Sequence, residues 1–419
     1  MEAEIIAVGS ELLTPARLDT NSLFLTERLA RRGIDVVRKA IIGDDRERLA
    51  REIRLARQAS QVVILTGGLG PTLDDITREA AADALGRELI LQSDLTDWIK
   101  KRFASFGRKM SENNRRQAYL LSGAEALPNP NGTAPGQWYE DAAGVVMLLP
   151  GPPKELQPMF LNECEPRLDR RESPFHYFTA SMRISGMGES DVDDLVGPIY
   201  SEEPRVRTTI LAAPGDIQLH LRGRGDTLEE ARQVAEELAD KVAAALSDRV
   251  YTRDNEPLEA VVGRLLRERH LQLGLAESVT GGMLAEKVTS VPGSSAYFSG
   301  AFVSYSERSK IVWLGVSAET MERYGPVSEE AAREMADHVR QLAGGPRAVG
   351  VSVTGIAGPG GGTEKTPVGT VYIGVADLRG TVVERRKFGA ERERNRALSA
   401  QTALELLRRR LLEIEPKAS

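Results

Sequence analysis

The 419-residue chain has a single cysteine, Cys164, and only four histidines: His176, His220, His270 and His338. One cysteine excludes an intrachain disulfide framework and any cysteine-based zinc or iron–sulfur cluster held by one copy. The histidines form no H-x-x-x-H pair, which excludes a histidine metalloprotease of that type. No apolar run approaches the roughly 18–20 residues that cross a bilayer. The opening MEAEIIAVGSELL is acidic and runs straight into a strand pattern, unlike a secretory leader. Lys plus Arg number 55 against 61 for Asp plus Glu, a formal charge of −6. A dedicated nucleic-acid binder needs the opposite balance to displace counterions. These absences predict a cytoplasmic protein of a reducing compartment, with no membrane partner and no direct nucleic-acid partner.

Hydrophobic residues make up 41% and charged residues 28%, an ordinary globular balance. At roughly 150 residues per domain, the length suits two or three domains. The first 165 or so residues alternate strand and helix patterns: strand 3–9, helix 22–32, strand 34–42, helix 46–58, strand 61–65, a helical stretch from Asp74, and strand 143–149 running into PGPPKE. This alternation predicts a doubly wound, largely parallel α/β sheet over 1–168, with its ligand loops at the carboxyl ends of the strands. The cluster 166–174 reads as a linker. Residues 173–252 read as an α+β module of KH-like shape. The stretch 173–255 carries 9 basic and 15 acidic residues, and no two of its glycines are three apart, so the backbone-gripping GxxG loop is missing. A spacer or dimerisation role is expected. A second α/β domain follows over 256–416, from a helix at 258–268 to a terminal helix at 398–414.

Three runs in the last domain carry chemistry. In Ala276-Glu-Ser278-Val-Thr280-Gly281-Gly282 a strand ends on a serine and a helix opens on small residues. Such a hydroxyl stands clear of the sheet while the following amides point at what it attacks. Equally, Ser278 or Thr280 could merely cap the helix. In Ser304-Tyr305-Ser306-Glu307-Arg308-Ser309-Lys310, five helical residues would set Tyr305 and Lys310 roughly 140° apart. The two converge only if Tyr305 precedes the helix and Ser306 caps it. In Thr354-Gly355-Ile-Ala-Gly358-Pro-Gly360-Gly361-Gly362, five glycines in nine residues let backbone amides approach an anion closely.

The first domain carries a comparable set at its predicted strand ends: Gly9 and Glu11, Asn21, Asp44, Thr66-Gly67-Gly68-Leu-Gly70, Asp75, Asn113-Asn114, and Gly151-Pro152-Pro-Lys154. The carboxylates of Glu11, Asp44 and Asp75 suit a hard divalent cation such as Mg²⁺ bridging phosphates. For Asp74 and Asp75 the alternative is favourable placement in the first turn of a helix.

The motifs AES-x-TGG, GSSAYF followed by SYS-x-x-x-K, and TGIAGPGGGT followed by PVGTVYIGV resemble, in that order, the carboxy-terminal domain of the competence/damage-inducible CinA family. TGGLGPT-x-DD-x-T and NP-x-GTAPG resemble its molybdopterin-binding-like first domain. The resemblance implies a nicotinamide-nucleotide amidohydrolase that converts nicotinamide mononucleotide to nicotinate mononucleotide and ammonia, with no cofactor. It places Ser278 as nucleophile and Tyr305 and Lys310 as its partners. Thr280, Gly281, Gly282, Thr354, Gly355, Gly358, Gly360, Gly361 and Arg392 would bind substrate. With no histidine in these motifs, Lys310 or Tyr305 must take the serine proton, and lysine needs desolvation or a neighbouring cation, the substrate's pyridinium ring or Arg308, to lower its pKa. The 5′-phosphate is expected on the glycine loop and oxyanion donors in the Gly281–Gly282 turn. For the first domain the resemblance implies either pterin binding or metal-dependent ADP-ribose pyrophosphatase activity, with Asp44 and Asp75 as metal ligands. A homodimer is expected.

Overall fold

A computed structural model describes residues 1–171, 175–389 and 391–415. The chain forms two compact units, residues 1–178 with 224–231, and residues 179–223 with 232–419. In the first, a six-stranded sheet has the order Asp35–Ile42, Glu2–Val8, Val62–Thr66, Gly144–Leu149, Gly136–Asp141, Glu125–Leu127. The first four strands are parallel and the last two antiparallel. Val62–Thr66 and Gly144–Leu149 are buried at every residue, as strands covered on both faces must be. Successive side chains enter opposite cores. Ile5, Ile64 and Met147 meet Leu25, Leu29 and Leu156, whereas Ile6, Leu65 and Leu148 meet Leu49, Ile53 and Ala80.

The antiparallel extension lies between two of the expected strands, in a stretch where glycine and charged residues interrupt the apolar pattern. The helix expected from Asp74 starts at Thr77 instead. Asp75 accepts the Thr72 amide at 2.8 Å, which closes a turn just before it. The expected linker is partly helix: Glu165–Leu168 is helical, and Arg32 pairs with the buried Glu165 at 2.9 Å. Residues 172–174 lie outside the described residues.

A four-stranded sheet, most of whose residues belong to the second unit, has the order Val206–Ala213, Asp216–Gly225, His176–Ser185, Val250–Thr252 and carries the helices Glu189–Ser201 and Leu228–Leu246. Met182, Ile184, Leu219 and Leu221 pack with Val192, Val196, Leu238 and Val242. The turn at Gly215 (φ +76°) lies on the terminal helix, where a Cβ would come within 3.0 Å of Gln401 Cγ. A five-stranded sheet follows, in the order Phe298–Val303, Gln272–Glu277, Ala348–Gly355, Thr370–Asp377, Gly380–Lys387. Its first three strands are parallel and its last two antiparallel. Leu258–Glu268 and the terminal helix cover one face, and Glu329–Ala343 the other. Gly274 allows the last approach, since a Cβ there would lie 2.7 Å from the Val339 carbonyl oxygen.

The terminal helix begins at Arg392, six residues before the expected Leu398, and ends at Leu412. Its first turns, RERNRA, have no apolar stripe to signal a helix. Arg392, Asn395 and Arg396 bind loop carbonyls instead.

Candidate active site

Gln272–Glu277 ends in a buried carboxylate followed by Ser278. Glu277 accepts the amides of Gly282 (3.0 Å), Leu284 (3.1 Å) and Ala285 (2.8 Å), and so caps the helix Met283–Thr289. Neither Ser278 nor Thr280 caps it. Gly281 (φ +60°) and Gly282 (φ +98°) take two consecutive left-handed conformations that a side chain would strain. The chain thereby turns back onto the carboxylate. Replacing Glu277 by glutamine keeps one acceptor but adds a buried donor among three donors. We expect Glu277→Gln to destabilise the protein by about 1–3 kcal/mol and to lower turnover, read by thermal melting and a rate assay on the same sample.

Tyr305 precedes the helix Glu307–Leu314, and Ser306 caps it by accepting the Ser309 amide at 3.1 Å. The helix sends its lysine inward. Lys310 is 2% exposed, and its Nζ donates to Ser278 Oγ at 2.9 Å and to the Ser304 carbonyl oxygen at 3.0 Å. Burial lowers its pKa to about 8, against a smaller opposing effect of Glu307. Of the cations expected to help, Arg308 is exposed and does not contribute. Desolvation alone tunes the amine.

The Tyr305 side chain does not join this pair. It is 62% exposed, and its hydroxyl accepts from Arg392 Nη2 at 3.0 Å. Arg392 Nη1 donates to the Gly358 carbonyl oxygen at 2.9 Å, so this arginine ties the phenol to the glycine loop. Two residues that the sequence reading did not assign complete the frame. Arg396 donates to the Thr280 carbonyl oxygen at 2.9 Å, and buried Asn395 donates to those of Ala357 (2.9 Å) and Gly389 (3.0 Å). Thr354 is buried and donates to the Pro326 carbonyl oxygen at 2.7 Å, a structural use of its hydroxyl. Gly355 lies in the strand, opposite Val371, while Gly360 and Gly361 are exposed at the loop tip.

The oxyanion donors are displaced from their expected place. Gly281 N donates to the Ser278 carbonyl oxygen and Gly282 N to Glu277, so both amides are occupied. Among the described residues, the amides of Val279 and Thr280 carry no hydrogen bond. The fully buried Thr280 hydroxyl is also without a partner. These groups follow the nucleophile directly, where developing negative charge needs donors.

In the first unit, a cavity of about 570 Å³ opens at the strand ends. Of the residues singled out there, Glu11, Asn21, Thr66, Gly67, Gly68, Gly70, Asp75, Gly151 and Pro152 line it. Asn21 donates to the Gly151 carbonyl oxygen at 2.7 Å and leaves its own buried Oδ1 unpartnered. Gly9, Asn113, Asn114, Lys154 and Asp44 do not line the cavity. Asn114 accepts the Ser111 amide at 3.2 Å at a helix start, Asn113 and Lys154 are exposed, and Gly9 donates to the Ile42 carbonyl oxygen. Asp44 and Ser10 bond reciprocally, each amide to the other's side-chain oxygen at 3.0 Å. The expected Asp44–Asp75 metal pair is therefore not assembled, and no group of three or more metal-ligating side chains occurs among the described residues.

The lining does bring Asp19 and Glu155 to join Glu11 and Asp75. Arg78, 1% exposed, supports the loop from behind by donating to the carbonyls of Leu69 (2.7 Å) and Gly70 (2.9 Å). A buried arginine inside a helix gave no sequence signal for that role.

These sites define an α/β chain with two strand-end sites on separate domains and a KH-like module between them in sequence. Three family models match it: "CinA C-terminal domain" over 255–411, "Probable molybdopterin binding domain" over 4–170, and "Damage-inducible protein CinA KH domain" over 179–252. A CinA-like protein of Solibacter usitatus is 51% identical over 411 residues, covering 98% of each chain. One of Koribacter versatilis is 47% identical over 416 residues, covering 98% of this chain and 100% of its own. The crystal structure of the protein CinA, with unknown function, from Thermoplasma acidophilum is 32% identical, with a TM-score of 0.38, over 40% of this chain and 99% of that one. The chain belongs to the CinA family. Among the described residues, no helix is long and apolar enough to cross a membrane.

Proposed function

We propose that the carboxy-terminal domain is a serine amidohydrolase acting on nicotinamide mononucleotide. The observation that carries this reading is the buried Lys310 Nζ at 2.9 Å from Ser278 Oγ, with a pKa near 8. A neutral amine there takes the hydroxyl proton as Oγ attacks the carboxamide carbon. The amides of Val279 and Thr280 receive the oxyanion. Lys310 then returns the proton to the departing nitrogen, the C–N bond breaks, and ammonia leaves an acyl ester on Ser278. Water, deprotonated by the same amine, releases nicotinate mononucleotide. The phosphate is met by the free amides of the glycine loop. Ammonia released from nicotinamide mononucleotide by the purified chain tests this, with free nicotinamide as the control. Hydrolysis of nicotinamide alone would point to a different small-amide hydrolase, and release from neither would defeat the reading.

The cavity of the first unit supports a second activity, hydrolysis of ADP-ribose, over pterin binding. Four carboxylates line it, no three of them grouped as metal ligands among the described residues, and an anionic pterin would meet them unfavourably. Mg²⁺ usually binds one or two carboxylates besides substrate phosphates, so Asp75 and Glu11 are the residues to hold it. When bound, it would neutralise the pyrophosphate and activate it toward water. Chelation is expected to abolish ADP-ribose cleavage and leave ammonia release unchanged. Asp75→Asn should imitate the chelator for the first activity only, with both rates measured on one preparation. The chain is proposed to work in the cytoplasm as a homodimer.

A further inference from the structure

Within the second unit, a separate cavity of about 560 Å³ lies between the KH-like sheet and the terminal helix. Its volume falls in the range of small-molecule sites. Its lining includes no serine, cysteine, histidine or lysine, so it is suited to holding a ligand rather than attacking one.

Four arginines and four carboxylates line it, but they are unequally engaged. Asp191 accepts the Gly188 amide at 3.1 Å, and Glu384 is paired with Arg386. Glu405 is held by Arg408 at 2.8 Å and Arg409 at 2.7 Å, one carboxylate between two guanidinium groups. Arg394 has no ionic or hydrogen-bond partner among the described residues. Arg249 has only a 3.3 Å contact with the Gly186 carbonyl oxygen and a 3.9 Å pairing with Asp248. Arg249 Nη1 and Arg409 Nη2 converge over the bare backbone of Gly186, 2.9 and 3.6 Å from where a Cβ would stand. Arg249 has no close carboxylate and Arg409 shares Glu405 with Arg408, so the two guanidinium groups keep donors that a phosphate would satisfy. The rest of the wall mixes polar Glu189, Gln401 and Thr402 with apolar residues, among which Met187, Phe388 and Leu398 are available to a flat ring.

We propose that this cavity binds a nucleoside monophosphate and that its occupancy controls the deamidase site. The phosphate sits against Arg249, Arg394 and Arg409, and the base against Met187 and Phe388. Coupling runs through the start of the terminal helix. Arg394 and Leu398 face the cavity, whereas Arg392, Asn395 and Arg396 hold Tyr305, the Gly358 loop and the nucleophile turn. A ligand that fixes the first set fixes the second. The coupling half rests on the deamidase reading, so both tests are made without substrate.

Adenosine monophosphate is the probe, added to the full chain. Calorimetry should show saturable binding that weakens at least about tenfold in the Arg249→Glu, Arg394→Glu double variant. Amide hydrogen exchange of residues 355–362 should slow on binding in the wild type and not in the variant. Both arginines are solvent-accessible, and basal ammonia release should stay within about twofold in the variant. Absence of binding, binding indifferent to the two substitutions, or binding without any change in loop exchange would overturn the proposal. A chain inactive on nicotinamide mononucleotide would instead defeat the deamidase reading and leave both of these measurements decisive.

Discussion

Ser278→Ala is expected to lower turnover of nicotinamide mononucleotide by roughly three orders of magnitude or more, with little change in its binding. The hydroxyl is the attacking group, whereas affinity comes from the glycine-loop amides and the ring's surroundings. Stability should barely move, because Glu277 and not Ser278 satisfies the helix amides. Were Ser278 a cap, the substitution would cost about 0.5–2 kcal/mol and leave turnover near normal. A rate assay, a substrate titration and a melting curve on one preparation separate the two. A destabilised but active variant would retire the serine mechanism.

The second large effect concerns Lys310. Its amine must be neutral to accept a proton, so turnover should rise with pH through about 8 and level off above it. Lys310→Met should be nearly as inactive as Ser278→Ala, and the double variant scarcely worse than either. Lys310→Arg should not restore activity, since a guanidinium stays protonated. The same shift has a signature in stability. The folded-state pKa lies below the ordinary 10.5, so between about 8 and 10.5 the unfolded chain binds more protons and stability rises with pH. Below 8 the full penalty, about 3 kcal/mol, is present. Relative to Lys310→Met, the wild type should therefore gain up to that amount between pH 8 and pH 10.5. Denaturant unfolding of both proteins across that range gives the difference, and a flat difference would show that Lys310 is not desolvated.

The strand-end positions of both sites were legible, because apolar runs stopping at Ser278, Thr66 and Thr354 mark where loops must emerge. The cap at Ser306 was legible for the same kind of local reason. The inward turn of Lys310 was not. In ERSKIVWL the charged Lys310 is buried while Val312 and Trp313 are 65% and 60% exposed, the reverse of what polarity predicts. Periodicity reports the face that packs, and this helix packs the side chain that the chemistry uses. Glu277, Arg78 and Arg396 were hidden for another reason. Each bonds to backbone groups, and a peptide amide or carbonyl carries no residue identity for a pattern to match. The start of the terminal helix was missed for the same reason, and with it the two cross-ties from Asn395 and Arg396. Asp44 failed in the opposite direction. A carboxylate at a predicted strand end suggested a metal, and the nearby Ser10 bonds it instead.

The outer strand of the carboxy-terminal sheet, Gly380–Lys387, pairs with Thr370–Asp377 on one side and, among the described residues, with no strand on the other. An open strand edge is a template on which an identical chain can add itself, and from there a growing aggregate can follow. Here the strand ends in Glu384-Arg385-Arg386-Lys387, the last three exposed. A copy adding in parallel register at that edge would bring its own cationic cluster up against this one. The run that reads as surface charge thus disfavours in-register parallel addition of a second copy at this edge.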